Sequence, residues 1–293
     1  MGKLDGRVAV VTGAGAGLGR EEALLLAAEG ARVVVNDIKG AKAVVDEITE
    51  AGGQAVAVEG SVGDLAVGQA MVDAAVETYG DLHIIVNNAG FIRDALLVSM
   101  TEEQFDSILE VHLKGTFALT KAAAVYWRDQ SKAGRTSDRS VVNTSSGAGL
   151  HGNPGQFNYS AAKAGSAMMA VTASVELKRF QVRANAIAPV AATAPVPATP
   201  GLGEAIAKAA EKAGGFDRFD PANIAPLVGY LATADCPFTG QVFSVHGGHI
   251  GLYQGWNIAH EVDREERWTV GGLAGELAAW PTRVKVNRQR VPL

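Results

Sequence analysis

The chain has 293 residues and a formal net charge of −5, with 47% of its residues hydrophobic and 19% charged. That is enough chain for one large α/β domain that buries most of its unfolded surface, and the acidic balance excludes nucleic acid as a main partner, because phosphate binding needs a basic face. Cys236 is the only cysteine, which excludes an intrachain disulfide and fits a reducing cytoplasm.

The apolar part of the opening stretch ends in a glycine cluster, not in a cleavage site. No uninterrupted apolar run reaches the roughly eighteen residues that a membrane span needs. The expectation is a cytoplasmic protein without a membrane partner.

Residues 7–11 (RVAVV) read as a short buried strand, followed at once by Thr12-Gly13-Ala14-Gly15-Ala16-Gly17-Leu18-Gly19 and a helical run over 20–29. Strand, glycine-rich turn and helix together present backbone N–H groups to a pyrophosphate. The common fingerprint G-x-G-x-x-G is not matched, since Leu18 or Arg20 stands where its last glycine belongs. T-G-x-x-x-G-x-G is matched, through Thr12, Gly13, Gly17 and Gly19. Gly13 allows the tight turn, Gly17 lets phosphates approach, and Gly19 lets the helix pack on the strand. A merely flexible loop would have no reason to sit directly between strand and helix.

A second strand over 32–36 ends in Asp37. A carboxylate there accepts bonds from ribose hydroxyls and repels a 2′-phosphate, which favours NAD over NADP. Capping of the next helix is an alternative role for the same residue. A helix over 40–51, a third strand over 54–58, the turn Gly60-Ser61-Val62 and a helix over 65–79 follow. The fourth strand, 84–86, leads into Asn87-Asn88-Ala89-Gly90, a turn able to brace the sheet beside an adenine ribose. The spacing then predicts one long helix over 101–128, a solvated polar insert over 129–139 and a fifth strand over 140–144.

Ser146 is followed thirteen positions on by Tyr159 and four further on by Lys163. Four residues is one helical turn, so Tyr159 and Lys163 share a helix face over 158–180. A free tyrosine, with a pKa of about 10, is a poor base at neutral pH. A lysine ammonium beside it stabilises the phenolate and lowers that pKa, as acid–base work on an alcohol or ketone requires. Ser146 is placed to donate to the same substrate oxygen. An ordinary helix start that happens to carry Tyr and Lys is the bland alternative.

A sixth strand over 183–188 ends at Pro189. The irregular chain over about 190–220, with a short helix over 202–213, reads as a lid or substrate wall. A helix over 221–233 and a seventh strand over 241–245 complete the alternation. The fold expected is a Rossmann-like, doubly wound, seven-stranded and mostly parallel sheet with helices on both faces. Residues 1–250 would form this domain and residues 251–293 a C-terminal extension. The extension carries three of the four tryptophans, and aromatics in a tail without its own core argue that it packs on its own domain or on a neighbouring subunit. His246 and His249 flank two glycines, but no Cys/His/carboxylate set has zinc-ligand spacing, so no metal is expected.

Taken together, the glycine turn, the Asn-Asn-Ala-Gly turn, Ser146, Tyr159-x-x-x-Lys163 and Pro189 resemble the classical short-chain dehydrogenase/reductase family over about residues 4–248. The resemblance implies that Tyr159 is the general acid/base, that Lys163 lowers its pKa and binds the nicotinamide ribose, and that Ser146 positions the substrate oxygen. It implies a cofactor, NAD, held by Gly13, Gly17, Leu18, Gly19, Asp37, Ser61, Val62, Asn88, Ala89, Gly90, Tyr159, Lys163, Pro189, Ala192 and Thr193. It also implies homodimers or homotetramers built on the Tyr159 helix and the one before it.

Three positions depart from the family pattern. His112 replaces the asparagine of a proton relay, Ser61 replaces an aspartate at the adenine edge, and Val190 replaces the glycine after the proline. His112 either passes a proton in altered form or is packed at a helix kink. VVVNDIKG, NNAGFIRDALLVSMTEEQFDSILEVHLKGTF and SSGAGLHGNPGQFNYSAAKAG are similar to the dehydrogenase unit of peroxisomal multifunctional enzymes. That likeness implies oxidation of (3R)-3-hydroxyacyl-CoA thioesters in fatty acid or sterol side-chain breakdown. A hydroxysteroid (17β-type) or other secondary-alcohol dehydrogenase is the alternative within the class, and a non-catalytic NAD-binding regulator the alternative outside it.

Overall fold

A computed structural model describes residues 2–192 and 215–281. Strands β1 (Val8–Thr12), β2 (Arg32–Asp37), β3 (Gln54–Glu59), β4 (Ile84–Asn87), β5 (Arg139–Thr144), β6 (Val182–Pro189) and β7 (Val242–His246) pair in parallel in the order β3-β2-β1-β4-β5-β6-β7. The chain winds outward from β1 to β3, then crosses back to place β4 on the other side of β1. That reversal opens a crevice at the C-terminal strand ends, where ligands bind in sheets of this kind.

Both faces are covered, so the central strands are apolar throughout instead of alternating. Helices α1 (Gly17–Ala28) and α2 (Ala41–Glu50) cover one face, where Ala9, Val11, Val33 and Val35 meet Leu26 and Ile48. Helices α3 (Leu65–Tyr79) and α5 (Gly115–Lys132) cover the other, where Val8, Val10 and Val34 meet Met71, Leu119 and Trp127. Helix α3 begins and ends where the sequence predicts, because Asp64 accepts the Ala66 N–H at 2.9 Å and Gly80 closes it at φ 86°.

Among the described residues the sheet has eight strands, one more than expected. Strand β8 (His249–Leu252) folds back antiparallel on β7 through Gly247-Gly248, and the rings of His246 and His249 stack across that turn at 4.8 Å. The boundary expected at 250/251 therefore falls inside a strand. The long helix expected over 101–128 is three pieces: α4 (Glu102–Leu109), a π-helical turn (Glu110–Lys114) and α5.

The polar insert is only partly a loop. Helix α5 continues to Lys132, and Arg139 opens β5 fully buried. Its guanidinium lies against the Tyr126 and Trp127 rings, donates to the Leu82 carbonyl at 2.9 Å and pairs with Asp81 at 3.3 Å. Beyond a short α6 (Gly147–His151), helix α7 (Phe157–Glu176) and then α8 (Ala225–Ala232) follow. The predicted helix over 202–213, most of the lid, Thr193 and the basic end of the chain lie outside the described residues.

Trp127 is fully buried and donates its indole N–H to the Leu82 carbonyl at 2.8 Å. Trp127→Ala removes that bond and leaves a cavity beneath β4 and β5, so about 3–5 kcal/mol of stability should be lost. A fall in urea midpoint with unchanged slope is the expected measurement.

Candidate active site

The crevice is built from the ends of β1, β2, β4, β5 and β6. After β1 the chain turns at Gly13 (φ 62°) and again at Gly17 (φ 57°), conformations that only glycine adopts freely. A Cβ on Gly13 would stand 2.6 Å from Ala89 Cα, so the turn after β1 and the turn after β4 touch backbone to backbone. Thr12 Oγ1 accepts the N–H groups of Asn88 (3.0 Å) and Ala89 (3.1 Å), while Asn88 Nδ2 donates to the carbonyls of Thr12 (3.1 Å) and Gly13 (3.2 Å). The Asn-Asn-Ala-Gly turn is thus the brace of the glycine turn. No side chain caps α1, and its first turn has no acidic residue, so its free N–H groups face the crevice as a site for anionic oxygens.

Asp37 closes β2. Its carboxylate accepts the Gly15 N–H at 2.9 Å and the Ile38 N–H at 2.7 Å, and a Cβ on Gly15 would press on it. It does not cap α2, whose N-cap is Gly40. The other expected cofactor contacts are spread along the crevice. Ser61 Oγ accepts the Gly63 N–H at 3.3 Å, Val62 packs on Gly115, and Leu18 is partly buried against the core. Pro189 ends β6 opposite Val245, and the Ala192 N–H donates to the Phe219 carbonyl at 2.8 Å.

Ser146 leaves β5, caps α6 and accepts the Ala148 N–H at 3.2 Å. Tyr159 and Lys163 share one face of α7, with Lys163 Nζ 5.7 Å from the centre of the Tyr159 ring. Nζ donates to the Thr144 carbonyl at 2.6 Å, and the Lys163 carbonyl accepts from Ser145 Oγ at 2.7 Å. Burial lowers the Lys163 pKa to about 7, against a smaller upward effect of the Glu22 carboxylate. Tyr159 is raised above its ordinary value by burial, lowered part way by a hydrogen bond with Ser146, and raised again by the Asp94 charge. Burial weakens the hold of Lys163 on its proton, and the hydrogen bond with Ser146 draws Tyr159 down.

His112 lies in the π-helical turn, buried, with its ring edge-on to Tyr159 at 5.3 Å. Nε2 faces both the carbonyl (2.8 Å) and the N–H (3.2 Å) of Phe91, while Nδ1 is buried without a partner among the described residues. Gly90 makes room for the ring, since a Cβ there would run into it. Burial first, then the Lys163 charge, lower the His112 pKa to about 3. The sequence reading missed Asn158, whose Nδ2 ties the Arg93 (3.1 Å) and Gln104 (2.8 Å) carbonyls beside Tyr159. It also missed Glu22, although the helical period from Gly19 to Leu26 places that residue on the buried face of α1.

Fold and site together define the class: a doubly wound α/β enzyme with a glycine-lined dinucleotide crevice at its switch point. Residues 7–199 match the short chain dehydrogenase family, and the chain belongs to that family of oxidoreductases, whose members use NAD or NADP. It is 45% identical over 259 residues to the hydroxyacyl-CoA dehydrogenase ChsB1 of Mycobacterium tuberculosis, which covers 85% of this chain and 80% of that protein. It is 43% identical over 260 residues to the peroxisomal multifunctional enzyme type 2 of Drosophila melanogaster, covering 84% of this chain but 40% of that longer protein. A short chain dehydrogenase from Mycobacterium avium superposes with a TM-score of 0.85 at 43% identity, covering 100% of this chain and 98% of the other.

The unfolded chain protonates His112 near pH 6.5, whereas the folded chain refuses that proton until about 3. Stability is therefore lost as pH falls across that window. His112→Asn removes the group, and its urea midpoint should decline less steeply than that of the wild type over the same range.

Proposed function

We propose that this chain is an NAD-dependent dehydrogenase that interconverts a secondary alcohol and a ketone, acting on (3R)-3-hydroxyacyl-CoA thioesters. The observation that carries the reading is the convergence of Ser146, Tyr159, Lys163 and His112 at the end of β5, in a chain 45% identical to a protein named as a hydroxyacyl-CoA dehydrogenase.

The residues present fit a dinucleotide. Gly13, Gly17 and Gly19 leave the room, the start of α1 offers its N–H groups, and Asp37 is fixed where ribose hydroxyls would donate. A 2′-phosphate in that place would meet the Asp37 carboxylate, which is the reason for choosing NAD over NADP. The bound nicotinamide supplies a hydride acceptor. Tyr159 takes the alcohol proton as a phenolate and returns it as a phenol in the reverse direction. Ser146 holds the substrate oxygen and, by its bond to Tyr159, favours the phenolate. Lys163, anchored on Thr144, adds positive charge beside the ring whenever it is protonated.

An apolar substrate suits the outer wall. Phe91, Ile92, Leu96, Leu97, Val98 and Phe157 are exposed, Val98 by 95%. They flank the site where Ala95 bridges to Gln156, three residues before Tyr159. This wall accepts an acyl chain or a sterol skeleton, so a hydroxysteroid remains the second reading. Beyond the sheet, Tyr253 donates or accepts at 3.2 Å from His151 Nε2, which places the start of the C-terminal extension beside α6. Trp256 is 98% exposed. The outer faces of α5 and α7 form a separate groove with Phe117 and Met168 exposed, and self-association through it is the basis for proposing a dimer or tetramer.

The test is NADH formation with (3R)- and (3S)-3-hydroxyacyl-CoA thioesters of several lengths, beside a 17β-hydroxysteroid. Turnover of the (3R) thioesters alone is expected. Turnover of the steroid alone would replace the substrate assignment, and silence on all with NAD bound would favour a non-catalytic role. Tyr159→Phe should bind NAD normally and lose about 100- to 10,000-fold in turnover. Asp37→Ala should narrow the preference for NAD over NADP, read as the ratio of kcat/KM for the two. A wild type that already prefers NADP would overturn the role given to Asp37.

A further inference from the structure

Between β4 and α4 the chain runs from Phe91 without helix or strand as far as a short 3₁₀ turn, Leu97–Ser99. It carries the exposed apolar side chains Phe91, Ile92, Leu96, Leu97 and Val98. A segment with its apolar groups facing water has little packing of its own to hold it in one place. It is instead tied, residue after residue, to the start of the Tyr159 helix. Asn158 is completely buried. Its Nδ2 donates to the Arg93 carbonyl at 3.1 Å and to the Gln104 carbonyl of α4 at 2.8 Å, while its Oδ1 accepts the Tyr159 N–H at 2.8 Å. The Ala95 N–H donates to the Gly155 carbonyl at 2.9 Å, and Ala95 pairs in parallel with Gln156. Gln156 Nε2 donates to both carboxylate oxygens of Asp94, at 3.1 and 3.2 Å, and its Oε1 accepts from Asn153 Nδ2 at 2.9 Å. The Asp94 charge acts on Tyr159, so this strap stands at the mouth of the site.

We propose that Asn158 and Gln156 are positioning residues that set the chain-length preference of the reaction: they fix the apolar strap over 91–98 to the Tyr159 helix, and with it the reach from the reacting carbon to the apolar wall. The inference rests on the reading of the substrate as a 3-hydroxyacyl thioester. Asn158 holds the strap and the Tyr159 N–H with one amide, so wall and base cannot shift apart without breaking one of its bonds. The site needs two donations and one acceptance; a carboxylate there would face two carbonyls. Gln156 works on the outer side, where it holds the Asp94 carboxylate against α7. Contacts to the remote part of a substrate orient its reacting centre only when they are fixed relative to that centre. A long acyl chain lies along the wall and a short one does not reach it, so a loosened strap costs the long chain more.

Gln156→Glu keeps the shape of the side chain and the bond from Asn153, but sets two carboxylates against each other. Asn158 is left intact, because its variants also disturb Tyr159. The readout is kcat/KM for (3R)-3-hydroxyhexadecanoyl-CoA divided by that for (3R)-3-hydroxybutanoyl-CoA. Both substrates share Tyr159, so the ratio cancels any change in its charge state. It should fall about 10- to 100-fold in Gln156→Glu. It should recover in the double variant Asp94→Asn/Gln156→Glu, where an amide at 94 again donates to position 156. A working wild type whose ratio is unchanged in Gln156→Glu, or not restored by the double variant, overturns the proposal alone. A wild type silent on both thioesters overturns the chain-length role together with the substrate reading. Amide hydrogen exchange without substrate tests the clamp itself: the Ala95 N–H should exchange faster in Gln156→Glu and return to the wild-type rate in the double variant. Unchanged exchange at Ala95 would show that Gln156 does not hold the strap, whatever the substrate.

Discussion

A lysine side chain buried away from the surface governs the design of this site. Among the described residues Lys163 Nζ has one hydrogen-bond acceptor, the Thr144 carbonyl at the end of β5. That bond fixes the depth of α7 against the sheet, and with it the place of Tyr159 one turn earlier. Close approach is needed on the other side as well. A Cβ on Gly149 would stand 2.6 Å from the Lys163 carbonyl carbon, so α6 packs on α7 through a glycine. The same closeness that positions the lysine strips it of solvent, and burial then weakens its hold on the proton. Precise placement and a firm charge are opposed here.

The dinucleotide crevice obeys a different constraint, which is backbone contact. Thr12, Gly13, Asn88 and Ala89 bond to one another across the switch point, so the two turns cannot move apart without losing four hydrogen bonds. Asp37 extends this set to β2 through the Gly15 N–H. Hydrogen bonds inside the protein therefore preset the crevice, and a bound ligand need not order it.

Much of this was legible in the sequence because it is written locally. Asp64 and Gly80 mark the ends of α3, Thr12 to Gly19 mark the turn, and Tyr159 and Lys163 share a helix face by spacing alone. The missing pieces are those that only tertiary neighbours decide. The π-helical turn keeps an apolar rhythm close to that of the helices beside it, so 101–128 read as one helix. Arg139 sat in a polar run and looked solvated, yet Asp81, Tyr126 and Trp127 converge on it from other elements. Strand β8 had a signal, the Gly247-Gly248 pair, but four residues with two histidines nearby do not read as a strand. Glu22 follows Arg20 and Glu21, and a charged triplet reads as a surface until the helix face is assigned.

The π turn also narrows what His112 can do. A histidine held neutral down to about pH 3 cannot store a proton near neutrality. It can pass one only by exchanging tautomers, taking a proton at one ring nitrogen as it releases another. Nε2 is already engaged at Phe91, as donor to its carbonyl or acceptor from its N–H, and Nδ1 has no partner among the described residues. The Phe91 carbonyl and N–H orient the ring but neither take up nor give up a proton, so passing one through this ring needs a proton donor at one ring nitrogen and a proton acceptor at the other. The packing at the kink is the part the geometry carries: the extra residue of the π turn is what sets the ring against Gly90, between Phe91 and Tyr159.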